Sequence, residues 1–219
     1  MSLQLFAHPF SSYCQKVLIP LYENEIPFEW RMLSPDHPEN EAEHAALWPL
    51  KRMPLLLDDG RPVMEATIIV EYLALHHPGP VRLIPEDPRA ALHVRMMDRF
   101  FDNYVMAPMM AVVFDSIRPA ENRDPFGVDQ ARALLDTAYG WLDGVMAERP
   151  WAAGREFSLA DCAAAPSLFY ADWVHPLGER FGNVRAYRQR LLARPSFKRA
   201  VDEARPYRVI FPLGAPDRD

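Results

Sequence analysis

Glycine and cysteine are both scarce in this chain, at 9 and 2 of 219 residues. Cys14 and Cys162 lie far apart, with no Cys-x-x-Cys or Cys/His spacing around either. That pattern excludes a disulfide framework and a zinc cluster, and it fits a reducing compartment. No metal is expected. No stretch of 18 apolar residues occurs, and Met1 to Phe10 lacks the charged start and apolar run of a secretory leader. These two absences point to a cytoplasmic chain without a membrane partner. Basic runs are missing as well: 24 Lys and Arg stand against 30 Asp and Glu, for a net charge of −6. A surface of that balance does not neutralise a phosphate backbone, so nucleic acid is not an expected partner. What is plentiful is proline, at 22 residues, about twice the usual share. Stiff element boundaries follow. With 49% hydrophobic and 25% charged residues, the chain is neither disordered, collagen-like nor a coiled-coil rod, and its length suits one large or two small domains.

The first 77 residues alternate short apolar runs with helical periodicity. Strands are predicted at Leu3 to Ala7 and Phe28 to Leu33, and helices at Tyr13 to Glu25, Glu39 to Leu47 and Ala66 to His76. Asp59-Gly60 between two apolar runs, Pro54 to Leu57 and Pro62 to Met64, is the signal of a tight hairpin. The order β-α-β-α-β-β-α describes a small α/β domain over residues 1–77. Residues 78–88 carry Pro78, Pro80, Pro85 and Pro88 without periodicity and read as a linker. Residues 89–219 read as an all-helical domain: Arg89 to Phe114 with a bend at Pro108, a helix through Ala131 to Met146, then Leu159 to Trp173, Val184 to Leu192 and Phe197 to Ala204. Pro20 is expected to kink the first helix.

Three segments of the first half carry polar groups at element junctions. In HPFSSYCQKV, His8 to Val17, a strand passes into a helix whose start exposes unpaired N–H groups and the positive end of the helix dipole. Ser11 or Ser12 serves there either as the helix cap or as a hydroxyl offered to an anion. In LKRMPLLL, Leu50 to Leu57, a proline opens a strand. In MEATIIVEYL, Met64 to Leu73, Glu65 sits at a strand-to-helix turn, where an acid ordinarily favours the helix dipole.

In this order, and followed by an all-helical half, these segments resemble the cytosolic glutathione transferase family along essentially the whole chain. The resemblance implies a thioredoxin-like N-terminal domain followed by an all-α C-terminal domain. It implies glutathione as co-substrate, bound beside Arg52, Met53, a cis Pro54, Glu65 and Ala66. SSYCQKV is similar to the serine-type classes (zeta, tau and theta), which puts Ser11 at the catalytic position with Ser12 and Tyr13 as back-ups. The implied activity stabilises the glutathione thiolate for attack on a small hydrophobic electrophile, held against Met97, Phe101 and Tyr104 of the long helix; each of these, taken singly, is equally a core side chain. A twofold homodimer is implied too. FSLADCAAAP, Phe157 to Pro166, is similar to the family's capping motif, in which Ser158 and Asp161 exchange bonds at a helix start.

Three departures stand out. Ala66 replaces the serine whose hydroxyl usually holds the γ-glutamyl carboxylate, with Thr67 as the nearest substitute; Pro20 is unusual in the first helix; and Trp48 replaces an asparagine. Two other readings compete. A thiol-disulfide reductase would use Ser11-Ser12-Tyr13-Cys14 in glutaredoxin spacing, yet serine stands where the attacking cysteine is needed, and Cys14 falls one turn into the helix. A non-enzymatic ligand-binding or assembly module draws faint support from Ala66. His37, His44, His76 and His77 are expected in loops or on solvated faces, and His93 and His175 at the surface or in packing.

Overall fold

The computed structural model describes residues 3–219; Met1 and Ser2, which open the expected N-terminal domain, lie outside the described residues. In the first half, β1 (Leu3–Ala7), α1 (Ser12–Glu23), β2 (Glu29–Met32), α2 (Pro38–Leu47), β3 (Leu55–Asp58), β4 (Arg61–Met64) and α3 (Ala66–His76) follow in order. The sheet order is β2-β1-β3-β4, with β1 parallel to β2 and antiparallel to β3. At the β3–β4 turn both Asp59 (φ 45°) and Gly60 (φ 85°) take positive φ, the geometry that matches the twist of the flanking strands. β1 is buried along most of its length because helices cover one face of the sheet and α2 with Trp48 covers the other. Trp48 thereby acquires a role: it ends α2 through its N–H to the His44 carbonyl (2.8 Å) and packs against Phe6, Leu33 and Leu55.

The second half contains α4 (Pro88–Phe100), α5 (Ala107–Ser116), α6 (Pro125–Met146), α7 (Leu159–Val174), α8 (Gly182–Leu192) and α9 (Pro195–Ala204). Every residue of α7 except Trp173 is buried, which makes it the central helix. α4 and α5 are joined by a wide π-helical segment, Phe101–Met106. The irregularity therefore lies one turn ahead of Pro108 rather than at it. Proline offers no N–H to the carbonyl four residues back and crowds it, and a widened turn absorbs both effects. α1 runs through Pro20 unbroken to Glu23. In the stretch between α3 and α4, Gly79 lies so close to Asn24 that a Cβ there would meet the Asn24 side chain at 2.5 Å. That approach lets Asn24 hold both backbone groups of Val81, at 2.8 and 3.2 Å.

α1 joins the halves. Buried Gln15 donates to the Pro9 carbonyl (3.0 Å) and to Tyr170 Oη (3.1 Å), while Tyr170 donates to the Phe10 carbonyl (2.9 Å). At the far end Glu23 takes a two-pronged contact from Arg194 (2.7 and 2.6 Å). Between them Lys16, fully buried, bonds Asp98 (2.6 Å), Asp102 (2.8 Å) and Thr67 (2.9 Å). The Ser158–Asp161 motif is more than a local cap. The buried Asp161 carboxylate accepts from Ser158 N–H (2.9 Å), Ser158 Oγ (3.0 Å), Ala152 N–H (2.8 Å) and Tyr187 Oη (2.5 Å), so one side chain ties α7 to α8 and to the preceding loop.

Candidate active site

A cleft of 770 Å³ opens between the two halves. Its N-terminal wall begins at Ser11, the cap of α1, whose Oγ accepts from the Cys14 N–H at 3.4 Å. That bond uses an oxygen lone pair, and the same hydroxyl is in hydrogen-bond contact with the neutral Cys14 thiol. An incoming anion competes for the hydroxyl proton with a neutral, weak acceptor, so capping and anion binding are compatible on one serine. Ser12 starts the helix and lines a neighbouring recess, while Tyr13 lines both spaces. Burial, with Asp102 next, pushes the Tyr13 phenol up to about 12, so it is a neutral hydrogen-bond donor at physiological pH. Cys14 is fully buried, and that burial pushes its thiol up to about 11, which makes it a poor nucleophile and weighs against the reductase reading.

Lys51, Arg52, Met53 and Pro54 form the second part of this wall, and the Met53-Pro54 peptide is cis. The sheet ladder starts only at Leu55, opposite Phe6 and Met64, so the Met53 backbone lies just beyond the paired part of β3. His44 corrects an expectation here: it is buried, not solvated, and its Nε2 bonds the Arg52 carbonyl at 3.0 Å, which holds this loop in place. Glu65 supplies the third part. It has φ 70°, a costly conformation for a residue with a Cβ, and it turns the chain from β4 into α3. The first N–H groups of α3 consequently face the cleft beside Ala66, with no side-chain cap on them.

From the helical half, Arg99, Asp102, Asn103, Ala107, Met110 and Phe114 face the cleft. Met97, Phe101 and Tyr104 do not: Met97 and Phe101 are fully buried, and Tyr104 points outward beside Phe100 at 5.8 Å. Met97 and Phe101 belong to the core of the helical half, and Tyr104 lies on the solvent side of the same helix. The apolar recess next to Ser11, of 240 Å³, is made instead by Phe10, Met109, Val113, Tyr170, Ile210 and Phe211, with Met110 and Phe114 shared with the cleft.

Sequence reasoning missed Arg99. Its Nε and Nη2 bond Asp98 (3.1 and 3.0 Å), and Nη2 also reaches Thr67 Oγ1 (2.6 Å) and Asp102, while Nη1 has no partner among the described residues. Burial opposes its charge, but the Asp102 and Asp98 carboxylates prevail and raise its pKa. Burial, with Asp98 adding to it, raises the Asp102 pKa despite Lys16, and Asp102 Oδ1 is buried without a hydrogen bond. Thr67 is no replacement for the missing serine: its hydroxyl donates to Asp98 (2.9 Å) and accepts from Lys16 and Arg99. The local signal was the charge pattern Asp98-Arg99 with Asp102 one turn on. Among the described residues no group of three or more His, Cys, Asp or Glu side chains is placed to hold a metal, and no helix is long and apolar enough to cross a membrane.

Two family models match the chain: the glutathione S-transferase N-terminal domain over residues 5–81 and the C-terminal domain over residues 105–195. The chain is similar to the glutathione S-transferase GstB of Escherichia coli, with 28% identity over 91% of this chain and 97% of that protein. Among solved structures it resembles a glutathione S-transferase from Methylobacillus flagellatus with glutathione bound, with 27% identity, a TM-score of 0.79, and 91% and 98% of the two chains covered. A second, from Methylobacterium radiotolerans in complex with glutathione sulfonate, is 29% identical with a TM-score of 0.79, over 92% of this chain and 95% of that one.

Proposed function

Since the chain belongs to the glutathione S-transferase family, we propose that it is a serine-type glutathione transferase, with Ser11 stabilising the thiolate and Arg99 completing the seat of the γ-glutamyl group. The observation that carries this reading is the convergence on one cleft of Ser11, the backbone of Met53 and Pro54 beyond the sheet ladder, and the uncapped start of α3 behind Glu65.

The thiol of glutathione resembles free cysteine, with a pKa near about 8.5. A serine hydroxyl is too weak a base to remove its proton, so Ser11 acts by turning its O–H from the neutral Cys14 thiol to the sulfur anion at the positive end of α1. A lowering by about two units requires roughly 2.7 kcal/mol of preference for the thiolate. One charge-assisted hydrogen bond plus the dipole reaches that. Neutral Tyr13 stands beside it as a second donor. The extended cysteinyl backbone pairs with the backbone of Met53, and Lys51 and Arg52 border that end of the cleft. At the other end the γ-glutamyl ammonium meets Glu65, and the carboxylate meets the α3 N–H groups and Nη1 of Arg99. The electrophile occupies the recess beside Ser11, whose apolar walls select a small hydrophobic molecule.

We place the division between domains within residues 78–88, where neither helix nor strand forms before Pro88. A homodimer is supported by the exposed Ile68 and Leu75 of α3 and Leu92 and Met96 of α4, an apolar surface for a second copy. Two free, buried cysteines support a cytoplasmic setting.

The test is titration with glutathione, following heat and thiolate ultraviolet absorbance across pH. The bound thiolate should appear well below pH 8.5, and Ser11→Ala should shift its appearance to higher pH and lower turnover while leaving affinity nearly intact. If Ser12→Ala or Tyr13→Phe produced that shift instead, the role would pass to that residue. No binding to the parent protein would refute the function itself.

A further inference from the structure

A second cavity, of 310 Å³, lies where the end of α7, one face of α8 and the C-terminal tail meet, and it shares no lining residue with the cleft. Three guanidinium groups line it, Arg185, Arg188 and Arg218, against a single carboxylate, Asp172. In a chain of net charge −6 this is a local excess of positive charge.

The counter-charges present do not satisfy it. Asp172 Oδ2 is shared between Arg218 and Arg188, and the Arg188 contact is long, at 3.4 Å. Arg188 is only 7% exposed, yet its Nη2 is buried without a hydrogen bond. Its Nη1 reaches the main-chain oxygen of Asp219 at 3.2 Å, while the Asp219 side chain is engaged by Arg205 and Arg208. Arg185, one turn earlier on the same face of α8, has no side-chain partner among the described residues. Burial, and after it the neighbouring Arg218, work against the Arg188 charge, with Asp172 and Asp219 opposing them, and burial prevails. A buried guanidinium short of acceptors beside an unpaired one is a costly arrangement that an entering anion relieves.

We propose that this cavity binds phosphate, as the ester of a small molecule or as the free anion. Guanidinium forks match pairs of phosphate oxygens, and a phosphate anion complements the three guanidinium groups that line the cavity. The volume sits at the low end of small-molecule sites, roughly 300–1,000 Å³. Leu177 and Pro176 offer apolar surface to the rest of the ligand. This inference is independent of the glutathione reading.

The experiment is calorimetric titration of the whole protein at fixed ionic strength with phenyl phosphate and, separately, inorganic phosphate. Saturable one-to-one binding is expected; tighter binding of phenyl phosphate identifies a phosphate ester as the ligand type, and equal or tighter binding of inorganic phosphate identifies the free anion. Arg185→Gln, which removes no contact of the fold, should weaken binding about tenfold or more, and Arg218→Gln similarly. Arg99→Gln, which alters the cleft, should leave it unchanged. Failure of both probes to saturate, parental affinity in Arg185→Gln, or loss of binding in Arg99→Gln would each overturn the proposal.

Discussion

Removing the Arg99 fork should weaken glutathione binding, and restoring a serine at position 66 should compensate. Nη1 of Arg99 is the one guanidinium nitrogen not already committed to Asp98, Asp102 or Thr67, and Arg99 lines the cleft beside Ala66. A hydrogen bond to a charged group contributes about 1.5–3 kcal/mol, or roughly 10- to 100-fold in affinity. The Arg99 side chain is 51% exposed, so the lower end of that range applies at physiological salt. Ala66→Ser adds a hydroxyl at a helix start that accepts serine well, and it should tighten glutathione in the parent protein. Its gain should be larger in Arg99→Gln, where the carboxylate has lost a donor. Both changes act on substrate and transition state alike, so KM moves and kcat stays nearly constant. The assay is calorimetry on all four proteins of the cycle, with glutathione and with its analogue lacking the γ-glutamyl α-carboxylate. Equal weakening of both ligands by Arg99→Gln would refute the reasoning and reduce Arg99 to a partner of the Asp98–Asp102–Lys16 cluster.

Three other outcomes can be checked by denaturation. Asp161→Ala strands four donors, among them Tyr187 Oη, and should cost about 3–5 kcal/mol in urea unfolding, well beyond the roughly 1 kcal/mol of an ordinary cap; a loss no larger than a cap would contradict the bridging role. The His77 bond, joined by that of Tyr72, lowers the Asp58 pKa, so the stabilisation is full above the unfolded value of about 3.9 and fades as pH falls through the lower folded value; Asp58→Asn should flatten that acid limb. Gly79→Ala should destabilise by about 1–3 kcal/mol, because the new Cβ meets Asn24 at 2.5 Å, and an unchanged melting temperature would show that the segment shifts freely.

What could be read from the sequence was whatever a few neighbouring residues decide. The Asp59-Gly60 turn, the extent of Ala66–His76, the short apolar run of β1 and the Ser158/Asp161 pairing all depend on backbone preferences and bonds within one turn or one strand. Ser11, Pro54 and Glu65 stood out because each sits at an element junction, but local signals fit a cap, a strand start and a first-turn acid equally well, and their roles, with that of Met53, came from the family resemblance. Tertiary structure decided the rest. Which stripe of the α4–α5 helix faces the cleft depends on packing against α7, so Met97 and Phe101 went to the core and Arg99 and Asn103 to the wall. Thr67 lost its availability to partners 51 and 31 positions away. His44 became a support for Arg52 only because α2 folds back over the loop. Contacts of that kind form when distant segments share a small volume, and no periodicity or cap within either segment announces them.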